Sequence, residues 1–232
     1  LRQALYECHS ITFEQKWFNR KERLRFSSYL VGNPCPITSE TTTRKLYDLV
    51  LIATLKPTDK RFADRQRICE WIHHNNNNNT AAAAAWNLLV PICGTGVQCP
   101  TLAQSKFGLH VRGDTLGSQR LMDTLLSGTV PIFTRIKQYQ VQPPWIDWDQ
   151  LSYFVNVTTQ STFIESLAKI LQDERGYQQR HESVLRHRPL LDWHTLYPFD
   201  TYLYMLQAEV YPESRRDTSP WSALILPPPT KD

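Results

Sequence analysis

No block of lysines and arginines of the kind that tracks nucleic acid occurs in the chain. The net charge of +4 and the pI near 8.8 are only mildly basic. Nucleic acid is therefore not expected as a partner. No apolar run approaches the roughly 18 residues that a membrane span needs, and no signal peptide is visible. The chain begins with Leu1 rather than Met, and the expectation is a fragment that has lost its targeting segment. The cysteines lack a zinc pattern: Cys93 and Cys99 are the closest pair, with no His or second Cys pair beside them. All five, Cys8, Cys35, Cys69, Cys93 and Cys99, fall in the first hundred residues. An odd count leaves at least one unpaired in a monomer, and buried free thiols are favoured over a disulfide. A dinucleotide fingerprint is missing too. Gly94-Thr95-Gly96 has Cys99 where the third glycine belongs, so it reads as a turn. No internal repeat is found.

What is present is ordinary for a globular protein: 41% hydrophobic and 21% charged residues over 232 positions, enough for one or two domains. Residues 24–31 read as a strand ended by Gly32-Asn33-Pro34. Leu46, Leu49, Val50 and Ala53 recur at helical spacing, which predicts a helix over 41–55 stopped by Pro57. A second helix is predicted over 61–72. Residues 73–85, HHNNNNNTAAAAA, are low in complexity and read as a surface insertion; the asparagines favour turns or disorder. Further strands are predicted at 88–92 and 153–157. A helix at 161–173 has Thr162 and Glu165 for a capping box, and Gly176 breaks it before another at 177–187. A last helix spans 201–210. Strands alternating with helices predict an α/β fold with a mostly parallel sheet.

The centre of the chain is SKFGLHVRGDTLGSQRLMDTLLSGTVPIF, residues 105–133. Residues 107–111 are a short β-rich run. Arg112 to Gly117 is a polar loop with Gly113 and Gly117. Ser118 caps a helix to about Ser127, Gly128 ends it, and 129–133 is a second β-rich run. Strand, glycine loop, helix and strand make one βαβ unit. Its loop and helix start gather free N–H groups and the positive end of the helix dipole, which suits a phosphate. Arg112 and Arg120 bracket the loop as phosphate partners, because a guanidinium forks onto two oxygens. The same arginines fit an ordinary surface role. Asp123 is expected off the buried stripe of Leu121, Met122 and Leu125, where a carboxylate can take both ribose hydroxyls. It can equally stabilise the first turns of the helix through the dipole.

Ser105-Lys106-Phe107, Arg112-Gly113, Ser118, Arg120-Leu121, Asp123, and Gly128 with Val130-Pro131 resemble the donor-site signature of the exostosin-like glycosyltransferases of family 47. The resemblance covers about 24–193. It implies the C-terminal, donor-binding half of a GT-B enzyme, which pairs two Rossmann-like domains. On this basis 1–23 is a leading segment, 24–210 the donor-binding domain with 73–85 inserted, and 211–232 a Pro-rich tail. The resemblance further implies inverting transfer from a nucleotide sugar, most often a UDP-sugar, to a hydroxyl of a glycan acceptor. It assigns the donor to Arg112, Gly113, Ser118, Arg120 and Asp123. An acceptor-binding N-terminal domain is then missing from the chain, and the full protein is a Golgi lumenal enzyme with a type II membrane anchor.

Other features fit less specifically. Asp147-Trp148-Asp149 is a D-x-D, a pattern that in other glycosyltransferases holds a divalent metal on the diphosphate. The family carries an aromatic element there that packs, so structure is favoured and no metal ligand is assigned, although a divalent metal is left open. His110 reads as a core or rim residue. Asp114, Asp147 and His110 are the bases to try first should the isolated chain transfer sugar. Two sequons, Asn78-Asn79-Thr80 and Asn156-Val157-Thr158, matter only in a lumenal protein. The rival readings are a non-enzymatic α/β interaction module and another phosphate-ligand enzyme.

Overall fold

A computed structural model of the chain describes residues 45–77, 101–113, 116–117, 119–142 and 146–192. The strands predicted at 24–31 and 88–92, the turn at Gly94, the helix at 201–210 and the C-terminal tail lie outside them. So do Cys8, Cys35, Cys93, Cys99, Asp114, Ser118 and the Asn78 sequon.

Four parallel strands form one sheet in the order β1-β2-β3-β4: β1 Tyr47–Val50, β2 Ser105–His110, β3 Val130–Phe133 and β4 Tyr153–Phe154. The helices are α1 Ala63–Asn77, α2 Gln119–Leu126, α3 Trp148–Leu151, α4 Gln160–Gln172 and α5 Glu174–Leu191. Short 3-10 turns sit at Lys60–Phe62 and Ile136–Val141. Leu49 pairs with Phe107 and Phe107 with Val130, so the core residues of neighbouring strands lie side by side. Helix α1 packs on α4, with Trp71 against Phe163 at 5.7 Å, while α5 packs on α2 and α3. This is the α/β parallel-sheet architecture that the alternation predicts.

The central βαβ unit forms as expected. Gly128 has φ 66° and closes α2 with a Schellman motif: its N–H bonds to Leu125 O, and the Thr129 N–H returns to Thr124 O. Gly108 lets α2 lie close on β2, since a Cβ there would meet Thr124 Cγ2 at 2.7 Å. Thr124 is itself fixed by donating to Arg120 O at 2.7 Å.

Several local expectations are corrected. The segment read as a helix over 41–55 carries β1 at Tyr47–Val50 and continues without helix through Leu55. Leu49, Val50, Leu51, Ile52 and Ala53 are all buried. A run buried on every side shows no period of its own, and the helical spacing was a coincidence within it. Helix α1 extends through Asn77, into the asparagine run expected to turn, because a nucleated helix propagates at small cost per residue. The capping box of α4 uses Thr159 and Thr162, not Thr162 and Glu165. Gly176 lies inside α5 and does not break a helix; the break is at Asp173. The Asp173 carboxylate accepts from Gly176 N at 2.9 Å and from Tyr153 Oη at 2.8 Å, and a Cβ at 176 would collide with both. Cys69 is buried and disulfide-bonded, against the expectation of free thiols.

Candidate functional site

The site is built at the carboxyl ends of β2 and β3. Gln138, fully buried, ties the two strands together. Its Oε1 accepts from Thr134 N at 3.0 Å and Arg135 N at 2.8 Å, and its Nε2 donates to His110 O at 3.1 Å. Thr134 Oγ1 donates to the same carbonyl at 3.1 Å. These bonds satisfy the chain where the ladder ends, so the edge is rigid before the loop begins.

His110 points into the core rather than a cleft. Its ring meets Phe133 edge-on at 5.3 Å and only 3% of the residue is exposed. Burial, helped by the positive charge of Arg65, lowers its pKa to about 3, against a hydrogen bond to the Leu116 backbone. The imidazole is therefore neutral and fastens the far side of the loop.

Arg65 of α1 holds the near side. Its Nε donates to Arg112 O at 3.1 Å and Val111 O at 3.4 Å, and its Nη1 to Thr54 O at 3.2 Å. The guanidinium lies over the Phe62 ring at 4.9 Å. A Cβ on Gly113 would stand 2.7 Å from Arg65 Nη2. A side chain at 113 would therefore push the end of Arg65 aside, a neighbour that no motif spacing marks. Arg112 is half-buried, with its Nε 3.3 Å from Gly113 O.

Helix α2 differs from expectation in one respect. Every residue from Leu121 to Leu126 is buried, so the helix has no open face after its first turn. Asp123 lies within that buried stretch and not off it. Its Oδ2 pairs with Arg120 Nη1 at 2.9 Å, the Asp123 side chain 3% and the Arg120 side chain 23% exposed. Burial lowers the pKa of Arg120 and Asp123 opposes the shift, so the guanidinium stays charged. Arg112 and Arg120 thus stand at the two ends of one loop, each beside a fixed support. Ser118, between them, lies outside the described residues.

The D-x-D is structural in its contacts. Asp147 is the N-cap of α3: its carboxylate accepts from Asp149 N at 3.1 Å and Gln150 Nε2 at 2.8 Å. Trp148 packs edge-on to Phe133 at 6.2 Å. Among the described residues no three His, Cys, Asp or Glu side chains converge as metal ligands would, and no helix is long and apolar enough to cross a membrane.

Sequence reasoning missed Arg65, Thr134 and Gln138. Each acts on a backbone carbonyl or N–H brought near by the fold, so no motif spacing could have marked it.

A parallel sheet with a glycine loop leading into a helix between adjacent strands is the Rossmann-like glycosyltransferase arrangement. A family model for the Exostosin GT47 domain matches residues 12–172, more than half of the chain. The chain belongs to the exostosin GT47 glycosyltransferase family. No curated protein matches the chain.

Proposed function

We propose that the carboxyl edge of β2, the loop to Gly117 and the start of α2 bind the diphosphate of a nucleotide-sugar donor, most plainly a UDP-sugar. The observation that carries this reading is the pair of arginines, Arg112 and Arg120, bracketing a braced loop at a helix start. The reaction is displacement with inversion. A glycan hydroxyl attacks the anomeric carbon while the bond to the diphosphate breaks. Negative charge grows on the departing phosphate, and prearranged cationic donors stabilise it most in the transition state. Arg112, Arg120 and the N–H groups at the start of α2 supply that charge. Gly113 and Ser118 belong to the same reading, Gly113 as a backbone N–H donor and Ser118 through its N–H and hydroxyl. The acceptor domain and the Golgi setting form part of this reading, as the family implies them.

Asp123 takes a different part from the ribose contact expected of it. Buried against Arg120, it acts best as the anchor that aims the guanidinium. Calorimetry with UDP and uridine separates these roles. Arg112→Gln is expected to weaken UDP by about 1.5–3 kcal/mol, the range for hydrogen bonds to charged groups, and to leave uridine nearly unchanged. Asp123→Asn should follow the same pattern if it anchors Arg120, and weaken both ligands alike if it holds the ribose. Wild-type protein that binds NAD as well as UDP, or neither, would contradict the donor reading in favour of its rivals.

A further inference from the structure

We infer that Asn156 carries an N-linked glycan whose first N-acetylglucosamine packs on the ring of Phe154. The segment reads Phe154-Val155-Asn156-Val157-Thr158. Val155 is fully buried and its N–H bonds to Phe133 O at 2.9 Å, so the chain stays extended just past β4. Phe154 and Asn156 are both exposed on either side of it, and in extended chain residues two apart share a face. Asn156 Oδ1 accepts from Thr158 N at 2.9 Å and from Thr158 Oγ1 at 2.6 Å. Both bonds fall on the oxygen and neither on Nδ2, the atom that would be modified. The acceptor pattern, its exposure and its hydroxyl partner are thus together in one place.

Two further observations point the same way. Cys69 is disulfide-bonded, which fits an oxidising compartment of the kind in which this modification is made. Phe154 is 44% exposed, one of two large exposed apolar side chains among the described residues. It lies on the outermost described strand at that side of the sheet, where a bare aromatic invites pairing with other chains. The apolar face of a sugar ring presents C–H groups, which suit the electron-rich face of the phenyl ring. In the transfer, Nδ2 attacks C1 of the reducing-end sugar of a lipid-diphosphate oligosaccharide. The N–C bond forms, the C–O bond to the diphosphate breaks and its electron pair leaves with the phosphate. The amide gives up one proton to a base of the transferring enzyme, and nothing is oxidised or reduced.

The test expresses the full chain behind a secretion leader in eukaryotic cells, with Asn78→Gln in every variant so that only the second sequon reports. Secreted and retained protein are pooled, because the modification precedes export. The pool is treated with peptide N-glycosidase in heavy-oxygen water and read by mass spectrometry. The expected result is heavy aspartate at position 156, lost in Asn156→Gln and Thr158→Ala and kept in Thr158→Ser. Phe154→Ala should lower occupancy several-fold. It should also lower the melting temperature of the glycosylated protein more than that of the Asn156→Gln protein. An unmodified Asn156 would overturn the glycan; equal effects of Phe154→Ala with and without the glycan would overturn the packing. Neither result bears on donor binding.

Discussion

Replacing Arg120 by Met is expected to destabilise the fold by about 3–5 kcal/mol, the loss typical when one partner of a buried ion pair is removed. The reason is the asymmetry of the pair. The Asp123 side chain is 3% exposed, so little water can reach it in place of the guanidinium it loses. It also sits in a helix whose residues from Leu121 to Leu126 are all buried, so it cannot move outward without breaking the packing of α2. Asp123→Asn should cost less, because a neutral amide is cheaper to bury and Arg120 is partly solvated. The double variant Arg120→Met with Asp123→Leu should recover much of the loss, as apolar replacements of buried pairs do. Urea unfolding of the four proteins measures this. A loss below about 1 kcal/mol for Arg120→Met, the worth of an exposed pair, would mean that Asp123 does not depend on Arg120. A guanidinium held this firmly loses little freedom when a phosphate arrives.

Acid should weaken the protein well before its carboxylates titrate. The pKa of His110 falls to about 3, first through burial and then through Arg65. That of His181 falls to about 4, through burial and then Lys45, against a hydrogen bond to the Gly128 backbone. Unfolded histidines take up protons below the ordinary value of 6.5, while the folded ones refuse them until about pH 3 and 4. The unfolded state therefore binds more protons across that window, and stability falls as pH falls. The limiting slope is about 1.4 kcal/mol per pH unit for each histidine. Asp173 and Glu174, whose pKa values lie below their ordinary values of 3.8 and 4.5, add their losses only at lower pH. Unfolding free energies between pH 6.5 and 5 isolate the histidines. His110→Asn and His181→Asn should each remove about half of the slope. A wild-type stability that is flat over this interval would contradict the buried, neutral state of both rings.

How much of this was legible in the sequence differs element by element. The βαβ unit from Ser105 to Phe133 was readable because its signals are local: two apolar β-rich runs, glycines in the loop, and Gly128 where a left-handed residue ends the helix. Strand β1 was not readable, since it runs into a stretch, Leu49 to Ala53, in which every residue is buried; such a run carries no alternation and fitted a helical template as well. Asp123 is expected off the stripe of Leu121, Met122 and Leu125 from helical spacing alone; only the tertiary fold, which buries every residue from Leu121 to Leu126, closes that side too. The disulfide at Cys69 depended on pairing that spacing does not reveal. Arg65 and Gln138 brace the loop from helix α1 and from the turn after β3. Such contacts follow from the strand order, and they became visible only when the sheet was assembled.

The central claim, that a nucleoside diphosphate sits at the carboxyl end of β2, is tested most directly by photolabelling. The full chain is irradiated with 5-azido-UDP, digested, and the labelled peptide is sequenced, with and without excess UDP. The account predicts a single UDP-protected label on peptides of the loop following β2 or the start of α2, between Arg112 and Asp123, and its loss in Arg112→Gln. A UDP-protected label confined to other peptides, or labelling that excess UDP does not reduce, would contradict it.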